Sequence, residues 1–275
     1  MEIFANQEIE SDLNLLQQWF EDHEKLPKKI DRIYLARFYY RSDKDVEATK
    51  QLLLGHYDIR KKNSKIFFNR DPDSQNALNT AEFVHFVTLP GLTPDKSQVK
   101  LIKLKSSDTN EVHFAEDLAN LIMAHDGAAS DADLMIDDVP YFAESLIQIV
   151  DLDGVSMKHM THVSLSPLLA FSKFMQKYCP VKITTIHLIN CPAYVNNMFA
   201  VVKPMLRKET IDKVHFHVHT VESLFEFVPQ DMMPAEYGGK AGSVDDLSEE
   251  MQNSLRSKRD YLIDPNYWTI TKKSK

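Results

Sequence analysis

The apolar positions of the first ~95 residues recur at helical spacing, and no convincing strand is legible among them. Leu13, Leu16, Trp19 and Phe20 form one stripe, with Ser11 and Asp12 as candidate caps. Pro27 opens a second element, and Ile33, Tyr34, Leu35, Phe38 and Tyr39 give a third apolar face. Asp43 or Asp45 can cap the next helix, which carries Val46, Leu52, Leu53 and Leu54 and is expected to end near Gly55. The polar stretch 61–80 reads as loop. From about residue 96 to 220 two periods alternate. Strands are expected at 99–105, 145–154, 181–190 and 214–218, and helices at 114–126, 166–178 and 195–206. Strands alternating with helices predict an α/β layer with mostly parallel pairing. A charged surface helix starting at Ser243, with Asp246 as its capping partner, and a lysine-ended tail complete the chain.

Composition narrows the class. Of 275 residues, 43% are apolar and 10% aromatic, enough for a substantial core. A net charge of −8 gives no electrostatic case for nucleic acid. No segment approaches the ~18 apolar residues that span a bilayer, and the acidic N-terminus does not resemble a signal peptide, so the cytoplasm is the expected compartment. Cys179 and Cys191 flank an expected ten-residue strand of roughly 33 Å, whereas bridged cysteines need Cα atoms within about 7 Å. They are expected to be unbridged structural thiols.

Catalytic motifs are sparse. The chain lacks Gly-rich phosphate loops, a nucleophile elbow and paired-cysteine spacing. Asp137 and Asp138, with Asp131 and Asp133 nearby, are expected in a solvated acidic loop. His215, His217 and His219 alternate along a strand and share a face. A metalloenzyme is one reading of that row. Alternate residues on a straight strand lie ~7 Å apart, however, while zinc needs nitrogens converging at ~2.0–2.1 Å. Polar or hydrogen-bonded histidines are the expected state, with no metal and no cofactor.

Longer stretches carry more. YLARFYYRSDKDVEATKQLL (34–53), SLIQIVDLDG (145–154), VKITTIHLINCPAYVNNMFAVVKPML (181–206), KVHFHVH (213–219) and FVPQDMMPAEYGG (227–239) resemble, in order and spacing, the CRAL-TRIO lipid-binding family. The likeness runs from roughly residue 10 to 260. It implies a helical lobe over 1–95, a lipid-binding domain with a mixed, mostly parallel sheet and flanking helices over 96–245, and a C-terminal helix and tail over 246–275. A lid helix at Pro192–Leu206 would cover a hydrophobic pocket. Its Val195, Met198, Phe199, Val201, Val202 and Met205 spread wider than one buried stripe requires.

The resemblance implies a non-enzymatic carrier of a tocopherol-, retinoid-, carotenoid- or phospholipid-like molecule. Moving a lipid of roughly 15–20 methylenes into water costs about 12–16 kcal/mol, so a carrier must offer an equally apolar cavity and open it at a membrane. Family positions place Leu146, Gln148, Val150, Met157, Thr161, Val163, Phe171, Phe174, Met175, Ile183 and Thr185 around the ligand. His187 shares a strand face with the last two. Gln148 would bond the ligand, an ordered water or protein backbone. One branch of the family holds a phosphoinositide in a basic cluster. Lys182 and Lys213 match that cluster, and Arg207 and Lys208 lie close to it, while Thr184, Glu209 and Ile211 replace expected basic residues. A membrane-recruited, phosphoinositide-responsive adaptor with a structural lipid is therefore the alternative. Transient membrane contact and a monomer are the expected associations.

Overall fold

The computed structural model describes residues 1–67, 70–218 and 220–270. Helix α1 spans Gln7–Asp22 and starts a turn earlier than expected. The cap is Asn6, whose side chain accepts the Ile9 N–H, so Ser11 and Asp12 lie inside the helix. Ile9, Leu13, Leu16 and Phe20 form its buried stripe. Helix α2, Arg32–Arg41, carries the expected third apolar face and is capped by Asp31, whose side chain accepts the Tyr34 N–H; the separate second element expected from Pro27 does not form, and residues 23–31 are a connection. Helix α3, Val46–Lys62, is capped by Asp45 and continues beyond Gly55. A side chain at Gly55 would collide with the Tyr178 ring, so that glycine admits a neighbour and does not stop the helix. Two short helices, α4 (Ser64–Phe67) and α5 (Gln75–Phe83), occupy much of the stretch that reads as loop.

Strand β1, Val84–Thr88, lies within the region expected to be helical. Five residues offer too few alternations to register as a period. It pairs antiparallel with β2, Ser97–Leu104. Helix α6 (Phe114–Ala129) leads to a hairpin of β3 (Leu134–Ile136) and β4 (Val139–Tyr141). Asp137 and Asp138 form its exposed tip, with φ of 48° and 64°, the backbone a two-residue turn demands. Asp133 departs from the solvated reading: it is sealed and receives two 2.8 Å hydrogen bonds from Arg37.

Next come β5 (Ser145–Asp151), α7 (Met157–Thr161) and α8 (Leu165–Lys173), the last continuing as a π-turn over Phe174–Tyr178. Strand β6 (Ile183–Ile189), α9 (Val195–Val202), α10 (Lys208–Ile211) and β7 (Val214–Phe216) follow. The sheet order is β1-β2-β5-β6-β7, parallel except for β1. The fold is therefore α/β, a helical region followed by a mostly parallel sheet.

One sheet face is solid. Val87, Val99, Leu101, Ile147, Ile149 and Ile189 pack there against Leu224, Val228, Met233 and Tyr237. Val244 and Leu247 of α11 (Val244–Ser257) join them, so this charged helix is anchored by a buried face. Ser243 does cap it, accepting the Asp246 N–H. Two short helices, α12 (Arg259–Ile263) and α13 (Pro265–Trp268), return the chain to the N-terminal lobe, where Trp268 is buried among Leu13, Phe20, Tyr34 and Phe38. The lysine-ended tail, 271–275, lies outside the described residues.

Candidate functional site

The other sheet face does not fill. A cavity of about 320 Å³ lies between it, α8 and the segment after α9. Its floor is Ile102, Gln148, Val150, Ile183 and Ile186, and Leu121 and His125 of α6 close one side. Leu168, Phe171, Met175 and Gln176 line another, and Val202, Met205 and Leu206 cover it. The volume is at the small end of the ~300–1,000 Å³ usual for ligand pockets.

The bulge in β6 decides which side chains reach it. Leu146 pairs with Ile183, but Ile147 pairs with Thr185, so Thr184 is an extra residue. The alternation changes phase there. Ile183 and Ile186, three apart, both line the cavity. Thr185 and His187, expected beside Ile183, are not among the lining residues. The His187 ring instead contacts His215, His217 and Phe227.

Of the other expected pocket residues, Gln148, Val150, Phe171, Met175 and Ile183 line the cavity. Leu146 is fully buried on the same strand but does not reach it. The π-turn rotates Phe174 into the cluster of Ile59, Phe67 and Ile122. Met157 and Thr161 are exposed on α7, and Val163 is half-buried outside the lining. Gln148 Nε2 donates to the Lys100 and Ile149 carbonyls at 3.2 and 2.9 Å, so the backbone takes its amide hydrogens.

The segment expected to be a lid is less apolar outside than its composition suggests. Val195 and Met198 are buried, and Phe199 packs edge-on against Phe216 with centroids 5.1 Å apart. Val202 and Met205 face the cavity, while Val201 is exposed. Beyond α9 a 3₁₀ turn, Lys203–Met205, carries the chain on. Its exit is tied to α8. Gln176 Oε1 accepts from the Arg207 N–H at 2.9 Å and the Thr210 hydroxyl at 3.0 Å, and Ser172 Oγ donates to the Met205 carbonyl at 3.1 Å. The π-turn, a feature often found at functional sites, is what carries Gln176.

The four expected phosphate contacts divide. Lys182 and Lys213 line the cavity. Arg207 and Lys208 do not; Arg207 is exposed and lies 3.9 Å from Glu209. Residues the sequence reading missed include Arg41, Leu121, His125, Leu168, Ser172, Gln176, Val181, Ile186, Leu206 and Thr210. Leu121 and His125 stand four apart on α6, the one local sign that they share a face.

Of the histidine row, His217 is hydrogen-bonded and His215 stacks on His187 with ring centroids 4.9 Å apart. Nδ1 of His187 and Nε2 of His217 share a 3.0 Å hydrogen bond, and His217 Nδ1 lies 2.6 Å from Ser223 Oγ. Burial, with His215 and His217 adding, pushes the His187 pKa down to about 3. His219 lies outside the described residues, among which no group of three ligating side chains is suited to a metal ion. No helix among those residues is long and apolar enough to cross a membrane.

The motif stretches converge at the end of β5. Asp151 accepts from Tyr237 Oη at 2.6 Å, Asn190 Nδ2 at 2.9 Å and Lys103 Nζ at 3.0 Å. Gly239 permits the turn after Tyr237, because a side chain there would strike the Met233 carbonyl.

A sequence profile of the CRAL/TRIO domain matches residues 83–239, and one of a Pinta-like UBA domain matches residues 5–77. The chain is similar to the Homo sapiens alpha-tocopherol transfer protein-like protein, 22% identical over 227 residues, which is 82% of this chain and 63% of that one. Clavesin-1 of Xenopus laevis is 23% identical over 219 residues, covering 77% and 61%. The chain thus spans less than two thirds of the length of these relatives. The crystal structure of Sfh5 shares the fold, with a TM-score of 0.51 and 13% identity over 94% of this chain and 99% of that one.

Proposed function

The chain belongs to the CRAL/TRIO domain family, and from that premise we propose that it is a carrier that holds a hydrophobic small molecule in the cavity beneath residues 195–206 and exchanges it at membranes by lifting that segment. One observation carries this reading: the space between the sheet and that segment is a cavity of about 320 Å³ lined mainly by aliphatic side chains such as Ile102, Val150, Ile183, Ile186 and Val202. Protein interiors close-pack, and a dry void forfeits contacts all round its lining. An apolar occupant restores those contacts and is itself shielded from water. The relatives named for tocopherol transfer support the same reading. The carrier acts without catalysis, in the cytoplasm and transiently at membrane surfaces.

Native mass spectrometry of the purified chain tests it. A stoichiometric lipid, together with acceleration of transfer between liposomes, is the expected result; a chain that is empty and refuses apolar ligands removes the proposal. The adaptor reading draws on Lys182 and Lys213, which stand at the cavity rim. It predicts vesicle binding without faster exchange, so the same transfer assay separates the two.

A further inference from the structure

The cavity is basic in an acidic chain. Arg41, Lys182 and Lys213 are its charged lining residues, and no aspartate or glutamate joins them, although the net charge is −8. Behind the α6 wall stands one more cation. Lys100 on β2 is 1% exposed. Among the described residues its ammonium meets no carboxylate at ion-pair distance. Its contacts are His125 Nδ1 at 3.5 Å and the face of Phe86 at 5.6 Å. A buried cation without an anion is costly, and burial, reinforced by the Arg37 charge, lowers its pKa to about 8.

The contact with His125 has a consequence for the ring. An ammonium only donates, so Nδ1 accepts and the imidazole proton sits on Nε2. Among the described residues no protein group accepts from Nε2, and the ring lines the cavity. Arg41 Nε, on another lining residue, is buried without a partner. Gln148 has spent its amide hydrogens on backbone. The cavity wall therefore offers donors and positive charge with no matching anion.

We propose that the occupant is a single-chain amphiphile with a carboxylate head, and that the head sits on His125 Nε2 with the Lys100 ammonium behind it. This rests on the carrier reading and names the class of its cargo. At about 320 Å³ the cavity is at the small end of the ~300–1,000 Å³ range of ligand pockets, which favours a single chain over a two-chain lipid. The head belongs on this wall and not at the rim for an electrostatic reason. Lys182 is exposed and screened, and Lys213 Nζ already donates to the Ile183 carbonyl at 3.3 Å. Lys100 is shielded from water, where a charge acts most strongly.

Calorimetric titration of the lipid-stripped full chain with palmitate, hexadecanol and methyl palmitate tests the assignment. Palmitate is expected to bind at least roughly tenfold more tightly than hexadecanol. That preference is expected to vanish in Lys100→Met and His125→Phe and to survive in the Lys182→Gln/Lys213→Gln double variant. Equal affinity for acid and alcohol overturns the head-group assignment and leaves the carrier standing. A preference that depends on Lys182 and Lys213 alone also overturns it, by moving the head to the rim. A co-purifying lipid without a carboxylate, in a chain that refuses palmitate, does the same. Refusal of all three probes by a chain that also purifies empty removes the carrier itself. Should the two variants not fold, histidine-selective nitrogen NMR of the wild-type chain decides: palmitate must shift His125 Nε2 and hexadecanol must not, and an unmoved resonance overturns the proposal.

Discussion

Arg60 clasps Asp126 with two hydrogen bonds of 2.7 and 2.8 Å, and both side chains are 1% exposed. The pair joins α3 of the helical lobe to α6 beside the cavity. Arg70 adds a third contact at 2.7 Å and Tyr34 Oη a fourth at 2.7 Å. The ring of donors is what makes a buried carboxylate tolerable. Asp126→Asn removes the anion and leaves two buried guanidinium groups facing each other's charge. The expected loss is about 3–5 kcal/mol in urea-induced unfolding. A loss below about 1 kcal/mol would mean that the lobe is held by apolar packing alone.

Acid should attack the opposite sheet face through His187. Its side chain is fully buried, and its pKa is held near 3 by burial and by His215 and His217. The unfolded value is ~6.5. Below that pH the unfolded chain takes up a proton that the folded chain refuses, so stability is present above pH ~6.5 and lost as pH falls toward 3. The slope from one such group is about 1.4 kcal/mol per pH unit. Urea melts at pH 7, 6 and 5 should show a loss that steepens toward this slope as pH falls in the wild type, and a shallower loss in His187→Gln. Parallel slopes in the two proteins would place the acid sensitivity elsewhere.

The limits of sequence reading are local and physical. The strands and helices of the middle region were legible because short apolar runs alternate there with longer segments of helical period, and Asp45 and Ser243 were legible as caps because their side chains bond within three residues. Thr185 and His187 were misplaced because a bulge at Thr184 shifts the phase of a strand without altering its composition. Phe174 was misplaced because five residues of π-turn rotate a helix face that reads as regular. Lys100 escaped notice because a lysine in a strand reads as solvent-facing until α6 is laid across it. Arg41, in the N-terminal lobe, reaches the cavity only through tertiary packing, which periodicity does not encode.

Filling the void separates binding from folding. Val150 is half-buried and lines the cavity floor. Val150→Trp directs a bulky ring into empty space, so the ~1–3 kcal/mol overpacking cost of a close-packed site should be largely avoided. The expected outcome is a chain that melts near the wild-type temperature but carries no lipid in native mass spectra. Retention of a stoichiometric lipid by this variant would show that the cavity is not where the occupant sits.

Gln176 is expected to set how often the cavity opens. Its Oε1 holds the Arg207 N–H and the Thr210 hydroxyl, the two groups just past the covering segment. Lifting residues 203–206 away from α8 breaks both. Each such bond contributes about 0.5–1.5 kcal/mol net, and the Arg207 amide is solvent-exposed, so water compensates part of its loss. Gln176→Ala therefore favours opening by roughly 1 kcal/mol, which is about fivefold in the open population. Lipid transfer between liposomes should accelerate by a similar factor if opening limits the rate. Amide hydrogen exchange at Leu206 and Arg207 should accelerate with it, while α1, which contributes no residue to the cavity, keeps wild-type protection. Faster exchange at these amides without faster transfer would place the slow step in membrane docking and not in the latch.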